Sequence, residues 1–179
     1  KKNYASARIE EILVPSAERV EPACPVYKEC GGCQLQHLSY AGQLKMKEQQ
    51  VLDALTRIGH LNTEVLPVMG CANPWNYRNK MQFPAAMGAE GKIEIGCYAT
   101  ATHSVVDTEG CLIQKEANNQ VLVAVRKWMQ KFNVTAYDEK TGKGLVRHVM
   151  SRVGVHSGEV MAVLITSAYD IPNKKELID

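Results

Sequence analysis

GLVRHVMSRVGVHSGEVMAVLIT, residues 144–166, is the stretch on which the fold turns. Residues 145–155 and 160–166 are rich in β-branched and apolar side chains, and His156-Ser-Gly-Glu159 between them is turn-forming, so the stretch predicts a long hairpin. Its second half, Val160-Met-Ala-Val-Leu-Ile-Thr166, is almost wholly apolar and is expected at the centre of a sheet. Upstream, Tyr77-Arg-Asn-Lys-Met-Gln-Phe83 alternates, placing Arg78, Lys80 and Gln82 on one side and Tyr77, Met81 and Phe83 on the other. Gly88-Ala-Glu-Gly91 turns the chain back into Lys92-Ile-Glu-Ile-Gly-Cys-Tyr98, a second hairpin. Two stretches carry a helical period. In residues 39–59, Leu44, Val51, Leu52, Leu55 and Ile58 recur between a capping Ser39 and a terminating Gly59. After Cys111, the stripe is Ala117, Val121, Ala124, Val125, Trp128 and Phe132, which makes Trp128 a core residue. The sum is an α+β fold: a mixed or antiparallel sheet of hairpins packed by two amphipathic helices, with an N-terminal cysteine-rich loop.

At 179 residues the chain fits one ordinary domain, or one domain with a small appendage. A net charge of +2 does not by itself announce nucleic-acid binding, so any basic surface must come from clustering. Clusters occur at Arg78/Lys80, at Arg126/Lys127/Lys131 and at Lys143/Arg147/His148/Arg152. The helical group around Arg126 reads as a solvated face. No apolar run is long enough to cross a membrane and no signal segment opens the chain, so a cytoplasmic monomer is expected.

CPVYKECGGCQLQH, residues 24–37, packs three thiols into ten residues around a Gly-Gly pair. Cys30 and Cys33 form a C-x2-C pair, and the glycine amides can turn toward sulfur charge, which suits a metal better than a disulfide. Six cysteines would also serve a disulfide framework with fifteen pairings, but that needs an oxidising compartment. Zinc and a [4Fe–4S] cluster both want four ligands. Cys111, after a glycine at a strand–helix junction, ranks first for the fourth place, ahead of His37 and Cys71. Cys97 alternates with Ile93 and Ile95 and reads as a small buried hydrophobe.

Together, CPVYKECGGCQLQH, NYRNKMQFP, IGCYATATHSVVDTEGCLIQ and GLVRHVMSRVGVHSGEVMAVLIT resemble the central domain of the RNA uridine-5-methyltransferases that carry a [4Fe–4S] cluster. The resemblance implies Cys24, Cys30, Cys33 and Cys111 as cluster ligands. It implies three regions: residues 1–15 as the last strand of an N-terminal RNA-binding β-barrel, 16–170 as the iron–sulfur and RNA-binding domain, and 171–179 as the start of a linker to a catalytic domain. That family moves a methyl group from S-adenosylmethionine to C5 of uridine, with nucleophile, base and cofactor site in the C-terminal domain, so no catalytic or adenosylmethionine-binding residue is assigned within this chain. Relatives acting on transfer RNA often lack the cysteines, which favours 23S ribosomal RNA as the partner. The chain departs from the family at Cys97, where an aromatic is expected, leaving a fifth thiol near the cluster region.

Arg78, Lys80, Arg147 and His148 are the residues expected to contact RNA, since the first two share a strand face and the second pair flanks a hairpin. Ordinary ion pairing is the alternative role for each. Trp75 and Tyr77 read as core, with base stacking as their alternative role. Two rival functions keep the same ligands: a zinc-stapled RNA-binding module without a cluster, and an electron carrier, which is disfavoured because ferredoxins place their cysteines in one compact array.

Overall fold

The computed structural model describes residue 5 and residues 7–179. Five strands, β1 (Lys80–Met87), β2 (Ile93–Tyr98), β3 (Val105–Asp107), β4 (Val146–Val153) and β5 (Val160–Thr166), form one sheet in the order β3-β2-β1-β4-β5, with every neighbour antiparallel. The helices are α1 (Tyr40–Asp53), α2 (Glu116–Lys131) and a short α3 (Lys174–Ile178). The residues divide into two compact units: one runs to Pro22 and includes Leu35–Met69, the other holds Ala23–Gln34 and Gly70–Asp179. The sheet, α2, α3 and all six cysteines belong to the second unit.

In the first unit α1 starts where the sequence places it. The Ser39 hydroxyl accepts from the Gly42 amide at 3.0 Å, which satisfies one of the orphan donors of the first turn. Glu18 accepts from the same hydroxyl and from Lys45 at 3.1 Å, and the Ser39 bond is the chief cause that holds its carboxyl below the usual range. The helix runs on through a π-helical turn over Ala54–Ile58. Its expected apolar stripe is only partly covered: Leu44, Leu52 and Leu55 are half-buried, whereas Val51 and Ile58 are exposed. The barrel strand that the resemblance implies within residues 1–15 is not formed among the described residues. Ser6 lies outside the described residues, and 7–14 are irregular and exposed, as befits a segment with no neighbouring ladder to hydrogen-bond.

In the second unit the core lies between one face of the sheet and α2. Met81 and Phe83 of β1, Ile93 and Ile95 of β2, and Val146 and Val149 of β4 pack with Leu122, Val125, Trp128 and Met129 of α2. The helix buries Asn118, Leu122, Val125, Trp128 and Met129, so the apolar stripe is rotated from the expected one and Ala124 faces solvent. Trp128 is core as expected, with its indole N–H donating to the Asn173 carbonyl at 3.2 Å.

Two sheet positions differ from expectation. The apolar β5 lies at the edge and β1 at the centre, because β1 pairs with β4 through Lys80–Pro84 and then with β2 through Ala85–Met87. Pro84 has no N–H to give, and the partner change falls just after it. Pairing on both edges, not apolarity, sets the central place; Val160 and Met161 of β5 are each 45% exposed. Tyr77 lies before β1 and is 57% exposed rather than in the core.

A buried polar strut joins α2 to the sheet. Ser151 of β4 donates to the Asn118 carbonyl oxygen at 2.6 Å, and the Asn118 amide donates to Gln114 at 3.0 Å. All three side chains are at most 1% exposed. Partnered in this way, they fix the start of α2, and with it the segment that carries Cys111.

Candidate metal centre and nucleic-acid face

The cysteine loop lies flush against the end of β2. Cys30 bridges Ala99, and the Gly31 amide donates to the Tyr98 carbonyl at 2.9 Å. A Cβ on Gly31 would stand 2.9 Å from that same oxygen, so only glycine permits the approach. A Cβ on Gly32 would sit 3.3 Å from the Cys30 sulfur and 3.5 Å from that of Cys97, in the space that the thiols share.

Backbone amides two or three residues downstream point at the sulfurs of Cys24, Cys30 and Cys111. Gly32 N–H donates to Cys30 Sγ at 3.3 Å, Val26 N–H to Cys24, and Ile113 and Gln114 N–H to Cys111. Such bonds favour the thiolate, the form that binds a metal. Burial acts the other way and dominates, raising the Cys24 and Cys111 thiols above their ordinary range. Cys24 also feels Cys30 and Cys33, and Cys111 feels Cys33 and Cys24, so the four cysteines named from sequence are electrostatic neighbours.

A fifth thiol joins them. Cys97 is pushed up to about 12, first by burial and then by Cys30, to which it is hydrogen-bonded, and it also feels Cys111. Alternation with Ile93 and Ile95 correctly puts it on the core face of β2 but does not reveal that this face opens onto the cysteine loop at the strand's end. Cys71 is exposed, with its thiol on the Asn73 carbonyl at 3.0 Å, and His37 belongs to the first unit. No described cysteine is in a disulfide, and among the described residues no three His, Cys, Asp or Glu side chains stand at the spacing of a formed metal cage. The donors are nonetheless of the kind such a group takes: neighbouring sulfurs with amides aimed at three of them and a glycine beside them are the soft-ligand chemistry of zinc or iron–sulfur sites. Asn119 braces Cys111 by accepting from its amide at 3.0 Å and donating to its carbonyl at 3.4 Å.

The basic residues distribute less simply. Lys80 is exposed on β1 and paired in register with Arg152, so two cations lie side by side. Arg78 precedes the strand: its amide donates to Ile113 and its carbonyl accepts from Lys115, and its charge is felt by the Cys97 thiol. Arg78 forms an isolated bridge with Gln114, two residues before β1 begins at Lys80, and the side chains of Arg78 and Lys80 are both exposed. Arg147 and His148 sit at a bulge in β4. The Arg147 guanidinium lies 4.0 Å over the Tyr137 ring, and burial, then Arg147, holds His148 below its ordinary value.

Arg126 is not part of a solvated face. Its side chain is 13% exposed, it pairs with Asp107 at 2.7 Å, and it donates to the carbonyls of Ile93, Ile95 and Thr108 at 2.9, 3.2 and 2.7 Å. It ties α2 to β2 and to the end of β3, next to the turn that leads to Cys111. Among the described residues no helix is long and apolar enough to cross a membrane.

No protein-family model matches the chain. It is 48% identical over 179 residues to a protein of Clostridium tetani described as an uncharacterized RNA methyltransferase, an alignment covering 99% of this chain and 38% of that protein. A Listeria innocua protein of the same description is 48% identical over 177 residues, and one of Bacillus cereus is 47% identical over 180. The chain thus spans about two fifths of the length of the curated relatives it matches. Among solved structures, the tRNA (uracil-54, C5)-methyltransferase of Pyrococcus abyssi, in complex with S-adenosyl-L-homocysteine, superposes with a TM-score of 0.68 at 22% identity, over 94% of this chain and 37% of that one. At that identity the likeness shows a shared fold.

Proposed function

We propose that this chain is the iron–sulfur and RNA-binding domain of an enzyme that transfers a methyl group from S-adenosylmethionine to C5 of a uridine in 23S ribosomal RNA. The observation that carries the metal part is the neighbourhood of Cys24, Cys30, Cys33 and Cys111 with amides directed at Cys24, Cys30 and Cys111. Relatives named as RNA methyltransferases support the methyl-transfer part. A cluster held there acts as a staple joining the loop at residues 24–33 to the segment before α2. In clamping Gly31 to Tyr98, the loop also fixes the backbone from which Tyr98 and the following turn project. RNA contact is assigned to Arg78, Lys80, Arg147 and His148, and residues 1–15 and 171–179 to the junctions with a barrel and a catalytic domain.

Transfer RNA is the rival substrate, favoured by the description of the structurally similar Pyrococcus enzyme. Zinc in place of the cluster is the rival metal, since the ligands would be the same. The substrate is tested with the full-length protein, S-adenosylmethionine, and separate 23S ribosomal and transfer RNA transcripts, mapping 5-methyluridine by mass spectrometry. Methylation of a single 23S uridine is expected. Methylation of transfer RNA alone contradicts the ribosomal assignment.

A further inference from the structure

The sheet face turned away from α2 holds a groove of about 600 Å³ across β2, β1 and β4. Strand alternation puts Gln82, Pro84, Ala86 and Tyr98 on this face, since Met81, Phe83, Ala85, Ile93 and Ile95 are buried on the other. His148 stands opposite Pro84 in register and also lines the groove.

Flat π-surfaces line both sides. On the β2 side Tyr98 and His103 are stacked, with ring centroids 5.2 Å apart and planes at 25°. On the β4 side the Arg147 guanidinium covers the Tyr137 ring. An anion site would turn guanidinium N–H groups toward its ligand, whereas here the guanidinium carbon lies 4.0 Å over a ring and the exposed side chain offers a planar cation on which a further planar group can lie. Between the two stacks, Gln82 offers a donor and an acceptor, and His148, held below its ordinary pKa, offers the mixed pair of neutral imidazole. The nearby Asp138 carboxylate is already engaged by the Lys140 amide and the Thr141 hydroxyl. Planar walls with mixed hydrogen-bonding groups between them match a heteroaromatic ring with a polar edge. A second hollow of about 600 Å³ shares Gln82, Pro84, Tyr98 and His148 and continues to Gly31 and Gly32, which gives a connected polynucleotide a path along the face.

We propose that this groove seats one unpaired nucleobase of the bound RNA, stacked on the Tyr98–His103 or the Tyr137–Arg147 plane, with its edge read by Gln82 and His148. The inference rests on the RNA-binding reading above and gives Arg147 and His148, assigned there to RNA contact, the specific role of holding a base. Unstacked bases laid on aromatic rings and guanidinium planes are the usual means by which proteins recognise single-stranded RNA.

The test is fluorescence anisotropy of the chain with oligouridylate and oligoadenylate of about eight nucleotides over a salt series. Tyr98→Leu and Tyr137→Leu are compared with Tyr98→Phe, which keeps the stacking surface, and folding of each is checked by circular dichroism. Loss of a stacked base is expected to weaken binding by about 5- to 150-fold without changing the salt slope, because stacking releases no counterions. Tyr98→Phe is expected to bind as wild type, and an abasic oligonucleotide of the same length to erase the difference between wild type and the leucine variants. Salt-dependent binding that is untouched by both leucine variants overturns the groove and leaves the RNA-binding reading standing. A wild-type chain that binds neither oligonucleotide at low salt overturns both.

Discussion

Arg126 and Asp107 show how one ion pair can position a loop. Burial works against the Asp107 carboxylate, but bonds from Lys92, the Ile95 amide and Arg126 outweigh it, so its pKa lies below the ordinary value. A depressed carboxylate contributes stability that is fully present above its unfolded pKa of about 3.9 and is lost as pH falls through the lower folded value. Asp107→Asn should therefore cost about 1–3 kcal/mol in urea unfolding at pH 7. The gap between variant and wild type should close below about pH 4, as the wild-type carboxyl takes up its proton. A gap that stays constant across pH would mean that side-chain shape, not charge, matters here. None of this was legible in the sequence. Arg126 stands in a run with Lys127 and Lys131, and such a run reads as solvated until the helix is docked and one member turns inward. Cys97 was half legible: alternation gave its face, but only the fold brings Cys30 to the end of β2.

At the scale of elements, the two hairpins were readable because turn residues interrupt apolar strands, and α1 and α2 were readable from period and, for α1, its cap. The order of the strands was not. Apolar content suggested β5 for the centre, yet the partner change after Pro84 gives that place to β1. The rotation of α2 was missed for a related reason: Asn118 is polar, and its burial depends on Ser151 across the interface. For RNA contact the two residues that the sequence had grouped have different neighbours. Lys80 lies on β1 beside Arg152, while Arg78 lies before it, within electrostatic reach of Cys97. Replaced singly by Ala, Lys80 should weaken RNA binding and flatten the log–log dependence on salt by roughly 0.7, the value for one phosphate contact on a single strand. Arg78→Ala should do the same if its guanidinium meets phosphate. An unchanged salt slope for either variant assigns that residue a structural role.

At the scale of the whole molecule, the six cysteines, the sheet and α2 belong to one compact unit, and the loop at residues 24–33 meets the segment bearing Cys111 within it. Bridging these two distant stretches of chain is a task suited to a structural cofactor, because closing so long a loop removes entropy from the unfolded chain. The loop itself was legible from its spacing and its glycines. The choice of Cys111 over Cys71 and His37 was legible only as a ranking; in the structure Cys111 lies within electrostatic reach of Cys24 and Cys33. The most direct measurement is anaerobic reconstitution of the chain with iron and sulfide, read by visible absorption and by iron content, for wild type and for Cys111→Ser and Cys71→Ser. The account predicts a brown protein with about four irons per chain, a loss of both colour and iron in Cys111→Ser, and wild-type behaviour in Cys71→Ser. A colourless wild-type chain that binds zinc instead, or a Cys111→Ser variant that keeps its full complement of iron, would contradict it.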